Sequence, residues 1–177
     1  MKIVIGFIVI LMISMPAFSC DEACRKEKAS AKHDIKFPSY LTWKYCESTK
    51  NQFMTSGVRS LRLYRDTRMS PNRKRGMKTT KTFVDQRKER LLECDQYMKL
   101  TGKGRIFEEE ETTEEVFAAL ESVSKELDSL VSGVTYVLNP GEDTTTVASK
   151  KFDRLFKLVD THKTMLQLKG QFVSRDR

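Results

Sequence analysis

Four cysteines, two histidines and a row of arginines are the side chains whose type and spacing could do chemistry in this 177-residue chain. Cys20 and Cys24 stand four apart, Cys46 and Cys94 stand alone, and His33 and His162 flank neither pair, so no metal knuckle is spelled out. An even set of cysteines without ligand spacing forms disulfides in an oxidising compartment.

The first residues indicate that compartment. Met1-Lys2 supplies one positive charge, Ile3 to Met15 is an apolar run broken by Gly6 and Ser14, and Pro16-Ala17-Phe18-Ser19 follows. The run is shorter than the roughly 20 residues that span a bilayer, and Ala17 and Ser19 are small, which is the pattern of a secretory signal peptide over 1–19. Cleavage after Ser19 makes Cys20 the first mature residue. That position opens a second fate for its sulfur, lipidation as in bacterial lipoproteins, although Ala17 and Phe18 fit the acceptor pattern poorly. The expected location is therefore periplasmic or secreted, with a membrane tether through Cys20 as the variant.

The arginines are the second feature. Arg59, Arg62, Arg65 and Arg68 recur every three residues, and Arg73, Lys74, Arg75, Lys78 and Lys81 continue the row. On a helix a step of three makes a slowly drifting ridge, and clustered cations attract anions and speed their encounter. Of the formal +8, residues 50–100 carry +9 and residues 101–177 carry −3, so the middle of the chain is the basic part. In an exported protein the matching anion is a lipid head group, an envelope polymer or an acidic protein face rather than nucleic acid. The competing reading is a solvated ridge, or one that pairs with the acidic half of the same molecule.

Catalytic patterns are missing. There is no G-x-S-x-G, H-E-x-x-H or C-x-x-C, and paired carboxylates occur as surface runs such as Glu108 to Glu111, where nothing drives two pKa values apart. Gly102-Lys103-Gly104 lacks the loop and hydroxyl of a phosphate cradle and reads as a helix stop. His162 falls on an apolar seam with no second ligand at helical spacing, which makes it a core or boundary histidine. An enzyme is the least favoured reading, and no cofactor, metal or small-molecule substrate is expected.

The elements that carry these residues are helical. Val116, Leu120, Val123, Leu127, Leu130 and Val134 step by four and three along one face, with Thr112 and Glu115 at capping-box spacing before them. Ala148, Phe152, Leu155, Val159, His162 and Leu166 repeat that spacing, and the turn at Asn139-Pro140-Gly141 places the two seams, of coiled-coil width, face to face. Residues 134–138 fit either a short strand or the end of a helix. Upstream, helices are expected from Leu41 to Arg68, weakened at Gly57, and from Thr80 to Leu100, with a basic loop around Pro71 between them. Trp43, Tyr40 and Tyr45 cover the end of a small core beside Cys46, or form an exposed contact. Residues 20–40 form a short helix and a linker.

Measured from the Pro71 loop, Cys46 lies about 25 residues back and Cys94 about 22 forward. At about 1.5 Å of rise per residue the two reach one level, so a Cys46–Cys94 bridge can clamp the open end of the hairpin. Cys20 and Cys24 are then left to pair with each other, and crossed pairings stay open.

The fold expected is an all-α, disulfide-stabilised bundle of two antiparallel helical hairpins, 41–100 and 112–169, in one domain over 41–177 with a short N-terminal helix attached. The leading functional expectation is a non-catalytic exported protein that works by contact with another macromolecule. The alternative is direct binding of envelope polyanions or lipid head groups through the ridge 59–81.

Overall fold

A computed structural model describes residues 20–68, 74–132 and 144–171. The expected signal peptide 1–19, the loop at Ser70-Pro71-Asn72 with Arg73, the stretch 133–143 and the tail 172–177 lie outside the described residues. Six α-helices account for most of the described chain: α1 (Glu22–His33), α2 (Trp43–Gln52), α3 (Val58–Arg68), α4 (Lys74–Leu100), α5 (Glu110–Ser132) and α6 (Thr144–Leu168). The described residues contain no strand, only an isolated bridge between Arg105 and Glu108. None of the described helices is long and apolar enough to cross a membrane.

The seams on α5 and α6 are buried as their periodicity requires. Val116, Leu120, Val123 and Leu127 join Ala148, Phe152, Leu155, Val159 and Leu166 in one core, and Leu130 packs at its margin. α5 packs along both α6 and α4, α4 also packs against α2 and α3, and α6 reaches back to α3. Lys81 pairs with Asp128 at 3.8 Å, Lys88 with Glu121 at 2.6 Å and Lys99 with Glu110 at 3.7 Å. The partner number falls as the lysine number rises, so α4 and α5 run antiparallel.

Two boundaries differ from the sequence expectation. α4 begins at Lys74 rather than Thr80, so Lys74, Arg75 and Gly76 are its first turn and not a loop. Met77, Thr80 and Val84 are buried at helical spacing, and that burial outweighs the roughly 1 kcal/mol that Gly76 costs. α5 begins at Glu110, so Thr112 is inside the helix rather than capping it. Acidic Glu110 and Glu111 occupy the first turn, where the helix dipole favours them, and Thr113 Oγ1 donates to the Glu109 carbonyl at 2.7 Å.

Gly57 does not break its helix. Phe53–Gly57 instead forms one widened π turn that links α2 to α3 without interruption. A Cβ on Gly57 would sit 3.2 Å from Phe53 Cδ2, so the glycine lets the Phe53 ring lie close to the backbone.

Both cysteine pairs are joined. Cys46 and Cys94, each with no exposed surface, link α2 to α4 with Cα atoms 5.2 Å apart. Cys20 and Cys24 are joined across 5.4 Å at the start of α1. A lipid thioether on Cys20 would need the sulfur that this bridge uses, so the bridge and lipidation are alternative fates of one atom.

α1 buries only Ala29 and is held by polar contacts instead. The Glu22 carboxylate accepts from the Trp43 backbone N–H at 2.5 Å and from the Tyr97 hydroxyl at 2.7 Å. Lys26 donates to the carbonyls of Pro38 and Leu41 at 2.8 and 2.9 Å. Burial and the Glu22 contact together raise the Tyr97 pKa well above that of a free phenol. Trp43 and Tyr45 pack against the core and cover its end beside the disulfide, whereas Tyr40 is exposed.

The segment after α4 does more than stop a helix. Gly102 adopts φ +72° and the Lys103 N–H closes on the Met98 carbonyl at 2.9 Å, which ends α4 as expected. Ile106 and Phe107 then turn inward with no exposed surface. Asp95 fixes this plug: its carboxylate accepts from Arg105 Nε at 3.0 Å and from the Ile106 N–H at 2.9 Å.

Candidate functional site

The basic ridge is divided by the fold. Arg62 and Arg65, on α3, turn toward α6 and pair with Asp160 and Asp153 respectively. Both guanidinium groups also lie over the Phe156 ring, at 4.9 and 5.3 Å from its centre. Half-exposed pairs of this kind add little stability each, but they neutralise these two arginines within the molecule. Lys81 is likewise occupied, by Asp85 at 2.7 Å and Asp128 at 3.8 Å. Burial alone would raise the Asp85 pKa, yet the hydrogen bonds from Lys81 and Ser124 outweigh it and hold that carboxyl below the usual range.

The remainder of the ridge behaves differently. Arg75 and Lys78, on the first turns of α4, are exposed and make no ion pair among the described residues. They line a groove of about 450 Å³ whose wall includes Tyr64 and Phe83, two rings packed edge to face at 5.4 Å. Arg87 lies over Phe83 at 5.0 Å and adds a third cation nearby. α4 has no acid in its first turn, so the positive end of its dipole reinforces Arg75. Arg59 is exposed on α3; Arg68 is the last residue of α3 and Lys74 the first of α4, and Arg73 is outside the described residues.

What such a groove can do is attract and hold an anionic group against aromatic carbon. Among the described residues no cluster of three or more His, Cys, Asp or Glu side chains could hold a metal ion.

His162 occupies the core side of α6, as its place on the seam required. It is 5% exposed, packs edge-on against Phe107 at 5.4 Å, and its Nε2 has no hydrogen-bond partner. Burial, reinforced by the Lys50 ammonium and opposed by Glu108 and Glu109, depresses its pKa below the usual imidazole value. The unfolded chain therefore takes up the proton first as pH falls. Stability contributed by neutral His162 is whole above an unfolded pKa of about 6.5 and declines between that pH and the lower folded value. Urea melts from pH 7.5 to 5 should show this decline, and His162→Leu should flatten it.

Three features escaped the sequence. The Ile106-Phe107 plug is hidden in an acidic loop, and its only signal is two apolar residues before the run Glu108 to Glu111. Asp153 and Asp160 are the internal partners of the arginines, yet they lie 88 and 98 residues away in the chain. Arg154 and Lys157 stand beside Lys150 at helical spacing on α6, a stripe shorter than the ridge on α3 and α4, to which spacing alone gives little weight.

Compared with models of protein families, with curated proteins and with solved structures, the chain matches none.

Proposed function

We propose that the chain is a non-catalytic exported protein, built as two antiparallel hairpins over 41–100 and 112–169, that works by presenting a surface to another macromolecule. The observation that carries this reading is the unequal fate of the ridge. Arg62, Arg65 and Lys81 are satisfied internally, while Arg75 and Lys78 stand without ion pairs among the described residues, beside an aromatic-walled groove. Unpaired cations at the positive end of a helix work against α4 itself, and such local conflicts concentrate where a partner is to be met. The two disulfides and an N-terminus patterned as a signal peptide support an exported setting.

An acidic protein face is the favoured partner, because the cations adjoin ring surfaces that a folded partner can cover. The reading of direct binding to envelope polyanions or lipid head groups draws on the concentration of charge at one end of α4. Co-purification from envelope extracts tests both. Arg75→Glu with Lys78→Glu should weaken capture of an acidic partner roughly tenfold, since reversed rim charges act against encounter and register. Arg62→Glu with Arg65→Glu should change capture far less. If long-chain polyphosphate binds the wild type, and does so with a steep loss as salt rises, the polyanion reading gains. Capture unchanged by the α4 reversals would remove this face from consideration.

A further inference from the structure

α6 has a second flank that the seam does not use. Where it borders α5 on the outside of the molecule, Val147 and Lys150 face Ala118, Ala119 and Ser122 across a cleft of about 450 Å³. The short side chains on α5 are what leave this space. A second cleft of about 310 Å³ continues along the same border, lined by Leu158, His162 and Met165, with Glu115 and Lys157 on its walls. Arg154 lines both clefts and marks where they meet.

The charges along this groove are uneven. Arg154 and Lys157 are exposed and make no ion pair among the described residues, whereas Lys151 is drawn inward to buried Glu126. Glu115 places one negative charge in the smaller cleft, so the uncompensated positive charge is strongest at the junction. From Arg154 back to Val147 the groove follows seven residues of α6, about 10 Å of helix rise. A planar guanidinium at one end of a small-residue, apolar trough is suited to a carboxylate that carries a hydrocarbon tail.

We propose that the α5/α6 groove binds a single-chain fatty carboxylate, with its head group on Arg154 and Lys157 and its tail laid over Ala118, Ala119 and Val147. This site is separate from the basic groove on α3 and α4, and neither needs the other. Lys150 flanks the tail with its own methylene stem, and Ser122 borders the trough without closing it. The head group meets α6 on its exposed side, at Arg154 and Lys157, away from buried Phe152 and Val159.

Isothermal titration of the full chain with dodecanoate, held below its micelle-forming concentration, tests the proposal. Saturable one-to-one binding is expected. Arg154→Glu should weaken it by about tenfold or more through charge reversal, and Ala118→Trp should block the trough. Ala118 and Arg154 are both exposed, so both variants should keep the wild-type circular dichroism and melting temperature. Arg75→Glu with Lys78→Glu should bind dodecanoate as the wild type does. Equal binding of dodecanol or dodecyltrimethylammonium overturns the proposal, as does indifference to both groove variants. Binding to vesicles rich in anionic lipid without binding to monomeric dodecanoate, or to an acidic amphipathic peptide alone, overturns it in favour of those occupants.

Discussion

Phe107→Ala should destabilise the protein by about 3–5 kcal/mol, the range for removing a fully buried aromatic side chain and leaving a cavity. Phe107 has no exposed surface and touches three rings from three separate segments: Phe53 at 6.5 Å, Phe117 at 6.5 Å and His162 at 5.4 Å. It lies on a short loop, so little backbone rearrangement can refill the space. The Asp95 carboxylate holds the loop in place through Arg105 and the Ile106 N–H. Against a total stability of about 5–15 kcal/mol, the loss is a large share. Urea unfolding should show a lower midpoint with an unchanged slope. Phe107→Leu, which keeps most of the volume, should lose clearly less. A loss below about 1 kcal/mol for the alanine variant would mean that the loop is not seated in the core.

The second large effect is expected at the buried disulfide. Cys46 and Cys94 close a loop with a sequence separation of 48, and removing that constraint should cost about 4 kcal/mol in the chain-entropy model. For a chain of this length that corresponds to a melting temperature lower by about 10 °C, readable by calorimetry on a Cys46→Ala, Cys94→Ala variant. The Cys20–Cys24 bridge closes only four residues of sequence separation and ties α1 to its own start. Its removal should cost about half as much in the same model, and the loss should be confined to α1. Equal losses from the two pairs would contradict the view that the first clamps the long helices together. Intact mass of the purified protein, taken without reductant, also decides whether Cys20 holds a bridge or a lipid.

The parts of the fold that were legible share one property. The seams of α5 and α6 repeat over six positions each, so errors at single residues average out, and the six seam positions on α6 are buried, His162 included, while Met165 beside them is exposed. The Cys46–Cys94 pairing was legible because two long helices about one loop leave few alternatives for the level at which they meet. Ile106 and Phe107 belong to no repeat, and two apolar residues next to four glutamates carry no period from which burial can be argued. The start of α4 was misplaced for a related reason. Gly76 and the preceding cations speak for a loop locally, and only the burial of Met77 and Thr80 against other helices speaks for a helix.

The ridge shows a further limit. Spacing by three established that Arg59, Arg62 and Arg65 share a face, and nothing in that spacing says what the face meets. Whether an arginine reaches solvent or an aspartate nearly a hundred residues away depends on how α3 is rotated about its axis. That rotation is a tertiary quantity.

The widened turn at Phe53–Gly57 preserves it. In a regular helix one surplus residue would advance everything downstream by about 100°, since 3.6 residues make a full turn, and the widened turn takes up that advance. The five residues from Phe53 to Gly57 thus act as a phase keeper, leaving the α3 arginines over Phe156 while Cys46 stays aimed at Cys94. A lineage that lost a single codon there would close the turn to a regular helix, with Val58 and Leu61 still in the core and both guanidinium groups still over Phe156.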